Sequence, residues 1–120
     1  MGTLSVPIEI SASTAGRFLR TSALVDTGAT HTLLPRNILE ELGIKAIDRV
    51  PFQMADDRTV EYEVGEVRLR LDGRERTTLV VFGATGVMPL LGATTLELFN
   101  LAVDPVRQKL VSVPGLMKQF

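Results

Sequence analysis

The chain has no cysteine and no tryptophan, and only one histidine, one tyrosine and five phenylalanines in 120 residues. Without thiols there is no disulfide, no cysteine-ligated zinc or iron–sulfur cluster and no thiol nucleophile. A single imidazole does not build a histidine-rich metal site, so no metal and no other cofactor is expected. An excess of one charge is also missing. Thirteen Lys+Arg stand against fourteen Asp+Glu, a net charge of -1, which excludes a strongly basic nucleic-acid binder and a polybasic membrane patch. Long hydrophobic runs are absent as well. Segments such as Leu79-Val80-Val81-Phe82 fall far short of the roughly 20 residues that a membrane helix needs. The opening Met1-Gly2-Thr3-Leu4-Ser5-Val6-Pro7 has no basic stretch leading an apolar run and does not read as a signal peptide. Ser5 and the early Pro7 argue against lipidation at Gly2. A soluble, cytoplasmic protein is expected, and the lack of cysteine fits a reducing compartment.

What is present is the make-up of one globular domain, 45% hydrophobic and 22% charged, with a core of its own. No linker, low-complexity stretch or charge block divides residues 1–120. Leu4 to Ile10 alternates apolar and polar as a half-buried strand does. Ser13 to Gly16 reads as a turn, and Phe18 to Val25 as a strand ending in Ala23-Leu24-Val25. Pro35 is placed to open a short helix at its first position, with Ile38, Leu39 and Leu42 on one face and Gly43 as the closing glycine. Val50 to Ala55 reads as a strand, Asp56-Asp57-Arg58 as a hairpin tip, and Val60, Tyr62 and Val64 as one face of the returning strand. After Gly65 the apolar set changes phase to Val67, Leu69 and Leu71, which predicts a bulge or bend at the glycine. Asp72-Gly73 predicts a tight hairpin, and Thr77 to Phe82 a buried return strand. Thr95 to Phe99 is expected to be helical, with Asn100 in the left-handed closing position. Leu101 to Val103 and Lys109 to Val113 form a last hairpin. The sum is mostly β with one or two short helices, a small barrel or sandwich.

The segment that carries chemistry is Ala23-Leu24-Val25-Asp26-Thr27-Gly28-Ala29-Thr30. A carboxylate directly after an apolar strand is expected to be buried, with its pKa raised unless hydrogen bonds or a second carboxyl share the proton. Such a group is a candidate acid or base. Thr27 supplies a hydroxyl, and Gly28 allows a backbone or ligand to approach closely. Asp-Thr-Gly is equally a good turn sequence, with the Asp bonding its own backbone. Three residues alone leave both readings open.

The wider order resembles the retropepsin-like aspartic proteases, the single-domain relatives of pepsin. Ala23 to Ala29 is followed by Thr32-Leu33-Leu34-Pro35, and later by Leu90-Leu91-Gly92, Ala93 to Phe99 and Leu101-Ala102-Val103-Asp104. A hairpin from Pro51 to Glu63 stands where that family has its flap. The likeness runs from about Leu4 to Val113. An internal echo accompanies it: Gly28-Ala29-Thr30 after Leu24-Val25 and Gly92-Ala93-Thr94 after Leu90-Leu91, although Gly-Ala-Thr also occurs at Gly83-Ala84-Thr85. The resemblance implies a closed β-barrel-like acid-protease fold and an aspartic endopeptidase. The chain has one Asp-Thr-Gly, so a working form would be a homodimer with one Asp26 from each chain. Asp26 is then the catalytic residue, with Thr27 holding the partner's loop and Gly28 bringing backbone to the substrate. Leu24, Ala29, Thr30, His31, Val87, Met88 and Leu90 would line the subsites. Met54, Ala55 and Asp56, with the rest of the tip to Arg58, would form the flap. A peptide or protein substrate is implied, with apolar residues flanking the cleaved bond.

Several positions depart from the viral pattern. Thr30 and His31 replace acidic residues, Ala93 replaces an arginine, and the tip has no glycine. A cellular, bacterial-type relative fits better than a viral enzyme. A non-catalytic dimerisation or peptide-binding module on the same fold is the alternative, and a small β-domain in which Asp26 only closes a turn is a third. Elsewhere no G-x-S-x-G accompanies His31, Asp56-Asp57 lacks the spacing of a calcium loop, and Gly83 to Gly86 lacks the lysine of a phosphate loop. Arg68, Arg70, Arg74 and Arg76 are balanced by Glu66, Asp72 and Glu75 and read as a solvated hairpin face.

Overall fold

Alternating apolar residues fold about half of the chain into strands, and the computed structural model describes residues 4–115 of it. The readings made on Met1 to Thr3 and on the tail to Phe120 lie outside the described residues. The elements are β1 (Leu4–Ser11), β2 (Leu19–Val25), β3 (Thr32–Pro35), α1 (Arg36–Glu41), β4 (Asp48–Gln53), β5 (Thr59–Leu71), β6 (Arg74–Gly83), β7 (Leu90–Leu91), α2 (Ala93–Leu98), β8 (Leu101–Asp104) and β9 (Lys109–Ser112). Hydrogen-bonded neighbours run β1-β2-β7-β3-β6-β5, and β5 pairs back onto β1. Six strands thus close a barrel, which leaves no unpaired edge in that ring. β2 with β7 and β3 with β6 are parallel, and the remaining pairs are antiparallel. Ile8, Ile10, Leu34, Leu69, Leu91 and Phe99 are fully buried at the centre. The fold is the mostly-β barrel with two short helices that the sequence implies.

The change of phase at Gly65 is real, but it is neither a bulge nor a slip. The register with β6 runs without interruption from Val64↔Val81 to Leu71↔Arg74. The two halves of β5 bury opposite faces because they have different neighbours. Thr59 to Val64 pairs with β4 in a ribbon outside the barrel, and Val67, Leu69 and Leu71 point into the barrel core. Gly65 is required by space. A Cβ there would lie 2.9 Å from Cε1 of Phe82 and 3.1 Å from the Lys45 carbonyl oxygen.

Helix boundaries also moved. Pro35 ends β3 with φ -67° and ψ 139° and precedes α1 rather than opening it. α2 starts at Ala93, two residues before the sequence expectation. Its first N–H groups find partners in another loop: Ala93 donates to the Ala29 carbonyl at 2.7 Å and Thr94 to that of Thr30 at 3.0 Å. These are the orphan donors that every helix start must satisfy. β4 begins at Asp48 and ends at Gln53 rather than running from Val50 to Ala55. The turn signals held: Asp72 and Gly73 have φ of 52° and 77°, and Asn100 has 55°.

Beneath α2, Thr95 Oγ1 meets Thr32 Oγ1 and, at 3.1 Å, Thr78 Oγ1. Thr32 Oγ1 also accepts from the Gly92 N–H at 3.1 Å. The three hydroxyls tie β3, β6 and α2 together in a buried place where an unpaired one would cost about 1–3 kcal/mol. At the far end of α2 the Arg74 guanidinium donates to the carbonyls of Phe99 and Asn100 and, at 2.7 Å, to Ser112 Oγ. It thereby fixes the β8–β9 hairpin against the barrel.

On the β5–β6 hairpin, hydrogen bonds from Arg70 and from Arg68 hold the Glu75 carboxyl below its ordinary value of 4.5. A lowered carboxylate adds stability above the unfolded value, and that stability is lost as pH falls through the folded value. Glu75→Gln should therefore melt below wild type at pH 7. The two melting temperatures should converge as pH falls through and below 4.5, which thermal denaturation across pH reads directly.

Candidate active site

β2 leaves the barrel at Val25, and Asp26 is the first residue beyond it. The chain then turns: the Ala29 N–H donates to the Asp26 carbonyl at 3.2 Å, and the Gly28 N–H donates to Asp26 Oδ1 at 2.9 Å. Asp26, Thr27 and Gly28 are all exposed in the single chain. This corrects the expectation of a buried carboxylate. Only Ala23 of the preceding triplet is fully buried, and Leu24 and Val25 are half-buried, so the strand end is already emerging.

The turn is held by the segment that echoes it. Leu24 lies beside Leu90 and Val25 beside Leu91, in parallel. The Leu24 N–H donates to the Pro89 carbonyl at 2.9 Å and the Asp26 N–H to that of Leu91 at 3.0 Å. With the Ala93-to-Ala29 and Thr94-to-Thr30 bonds, the two Gly-Ala-Thr stretches lie side by side. The third, Gly83-Ala84-Thr85, starts at the end of β6, where Gly83 lies beside Pro35. Gly92 is the tightest point. A Cβ there would lie 2.5 Å from the carbonyl carbon and oxygen of His31 and 2.9 Å from its nitrogen. The hydrophobic-hydrophobic-Gly order therefore follows from backbone crossing backbone.

The structure brings several predicted residues to this turn. Leu24 and Leu90 are half-buried neighbours on adjacent strands, Ala29 is half-buried, and Thr30 and His31 are exposed. Val87 and Met88 lie in the loop after β6, which closes on the Val87 N–H to Ala84 carbonyl bond at 3.1 Å. Asn37 of α1 anchors this loop by accepting from the Gly86 N–H at 3.0 Å. The predicted tip residues belong to the β4–β5 hairpin. Met54 bonds within the hairpin, its N–H donating to the Arg58 carbonyl at 2.7 Å, and Asp56 pairs with Arg58 at 2.6 Å. Ala55 is exposed beside them. Asp57 takes φ 67°, the left-handed conformation that Asp tolerates better than most residues. It does the work expected of a tip glycine.

Sequence reasoning missed the residues by which the hairpin meets the turn. The His31 ring contacts Phe52 of β4, centroids 5.0 Å apart and planes at 84°. Phe52 contacts Tyr62 of β5 at 5.8 Å. At the ribbon's base Arg36 of α1 pairs with Glu63 at 2.6 Å and lies over the Phe82 ring. The alternation of Val50, Phe52 and Met54 carried the signal that Phe52 faces inward, but not toward what. Beside Thr27, an open groove of about 470 Å³ runs between α2 and β8, lined by Ala93, Leu96, Leu101 and Val103 among others.

Comparison with known proteins bears on the family and the fold. A family model described as aspartyl protease matches residues 10–95, from β1 through the Asp26 turn into α2. No curated protein matches the chain by sequence. Among solved structures, it is similar to the EIAV protease complexed with an inhibitor, at 18% identity and TM-score 0.61, over 82% of this chain and 88% of that one. The retroviral protease-like domain of Ddi1 from Leishmania major is similar at 16% identity and TM-score 0.63, over 93% and 89%. A retropepsin-like aspartic protease from Rickettsia conorii is similar at 19% identity and TM-score 0.51, over 87% and 89%. At these identities the likeness is one of fold.

Proposed function

The chain belongs to the retropepsin-like aspartic protease family, and from that premise we propose that it is a homodimeric endopeptidase with an Asp26 carboxyl from each chain facing one water. The observation that carries the proposal is the state of Asp26. It is an exposed carboxylate at the emerging end of β2, its backbone clamped by the Leu91 carbonyl and its loop by Ala93 and Thr94. A group that only closed a turn has no need of that second segment.

Peptide hydrolysis by this route needs one carboxylate to take the proton of the water and one carboxylic acid to polarise the scissile carbonyl. Two carboxyls about 3 Å apart do not both ionise readily, so the pair shares one proton. A second chain supplies the second carboxyl, and the open groove beside Thr27 leaves a surface for it. Gly28 brings backbone to the substrate. Leu24, Ala29, Thr30, His31, Val87, Met88 and Leu90 line a largely apolar cleft, and Met54 to Asp56 cover it. An extended peptide is then held as an added strand with alternate side chains in pockets.

The test is cleavage of a diverse peptide pool between roughly pH 3.5 and 7, the range in which a shared-proton pair is competent. Specific activity should rise with protein concentration as dimers form. A folded, dimeric protein that cleaves nothing overturns the proposal in favour of a peptide-binding module.

A further inference from the structure

We propose that His31 is a positioning residue that latches the β4–β5 hairpin onto the Asp26 loop, and so sets how tightly the hairpin closes on a bound peptide. The inference rests on the protease reading for its use, but the latch is a property of the chain alone.

The argument begins with the ribbon. β4 pairs with β5 alone, and β5 joins β6 only from Val64 onward. The stretch from Arg49 to Glu63 is therefore a two-stranded ribbon standing off the barrel. Such a ribbon is marginal in water unless something packs on it. Its two faces differ: Val50, Phe52, Val60 and Tyr62 are half-buried on one, while Pro51, Gln53 and Glu61 are exposed on the other. The structure supplies two anchors at different heights. Arg36–Glu63 holds the base, one residue from where β5 enters the barrel. His31–Phe52 holds the outer end, because Phe52 is one pair short of the last rung, Gln53↔Thr59.

The two sides of the outer anchor differ in rigidity. The His31 backbone is pinned by the close approach of Gly92 and by the Thr94-to-Thr30 bond. Phe52 belongs to the free ribbon and is backed by Tyr62. The contact is edge-on, the arrangement aromatic rings prefer. A latch of one aromatic pair between a fixed loop and a free ribbon biases closure without locking it, since such a pair is worth a factor of roughly 2 to 10 in an equilibrium.

The experiment uses the full chain with His31→Ala, Phe52→Leu, their double variant and His31→Phe. The first readout is amide hydrogen exchange in residues 49–62, together with emission from Tyr62, the chain's one tyrosine and, without tryptophan, an unobscured reporter. Each single variant should speed ribbon exchange about three- to tenfold. The double variant should be no faster than the worse single one, and His31→Phe should stay near wild type. The second readout is kinetic: Phe52→Leu should raise KM by a similar factor with kcat changed less than about twofold. Unchanged exchange and emission, or strictly additive effects of the two single variants, overturn the latch. Exchange needs no substrate, so a chain without peptidase activity still decides it. A latch that responds in exchange while KM stays fixed overturns its role in closing on peptide.

Discussion

A Gly92→Ala chain should be destabilised by about 3 kcal/mol, the upper end of what overpacking usually costs. In a domain this size that lowers the melting temperature by roughly 10–15 °C. The added methyl would sit 2.5 Å from the His31 carbonyl, and both sides of the clash are backbone. Gly92 is fixed by its N–H to Thr32 Oγ1, and the loop it crosses by the Ala93 and Thr94 bonds. No side chain can swing aside, so relief requires separating the two crossing segments, which also releases the Asp26 turn. Gly73→Ala is the control. Its Cβ would meet nothing within 4 Å, and the residue has φ 77°, so the cost is the left-handed conformation alone, about 1 kcal/mol. Thermal denaturation of the two variants side by side measures the difference. Equal losses would show that the crossing carries no special strain.

Asp26→Asn should leave the fold intact and reduce peptide cleavage by about 10²- to 10⁴-fold. The two halves of that expectation have separate causes. Structurally, Asp26 contributes one side-chain bond, Oδ1 accepting from the Gly28 N–H, and the Asn carbonyl oxygen accepts it equally well. The exposed position makes no further demand. Chemically, an amide neither takes a proton from water nor gives one to a carbonyl, and in a homodimer both members of the pair are lost together. If the pair shares one proton, it carries a single negative charge with no carboxylate repulsion to relieve, so the variant should still dimerise at pH 7, which sedimentation reads. Loss of activity with loss of dimer would instead mean that Asp26 holds the assembly rather than the water.

What was legible in the sequence was chemistry that acts locally. Gly43, Asn100 and Asp72-Gly73 all closed their turns, because positive φ selects residue types whatever the surroundings. Alternation left a small barrel or a sandwich open, and the resemblance carried by the order of a few short motifs implied the closed barrel. The echo of Gly28-Ala29-Thr30 in Gly92-Ala93-Thr94 was visible in the sequence, but that the two segments lie side by side is a finding of the structure. What was not legible came from partners distant in the chain. α2 begins early because carbonyls more than sixty residues away cap it. Gly65 reads as a bulge or bend until Phe82 is placed against it. The burial of Asp26 was misread because an apolar triplet does not reveal where a strand leaves its barrel. Phe52 and Tyr62 gave no sign of meeting His31, since that contact exists only once the ribbon folds back over the turn.

The central claim, one catalytic pair shared between two chains, is tested most directly by poisoning. A constant amount of wild type is mixed with increasing Asp26→Asn protein, subunits are allowed to exchange, and cleavage is measured. If each active unit needs two intact Asp26 residues, activity should fall in proportion to the wild-type fraction, to about one half at equal amounts and about one tenth at ninefold excess. Activity that stays constant however much Asp26→Asn protein is added would contradict the account, because each chain would then be working alone.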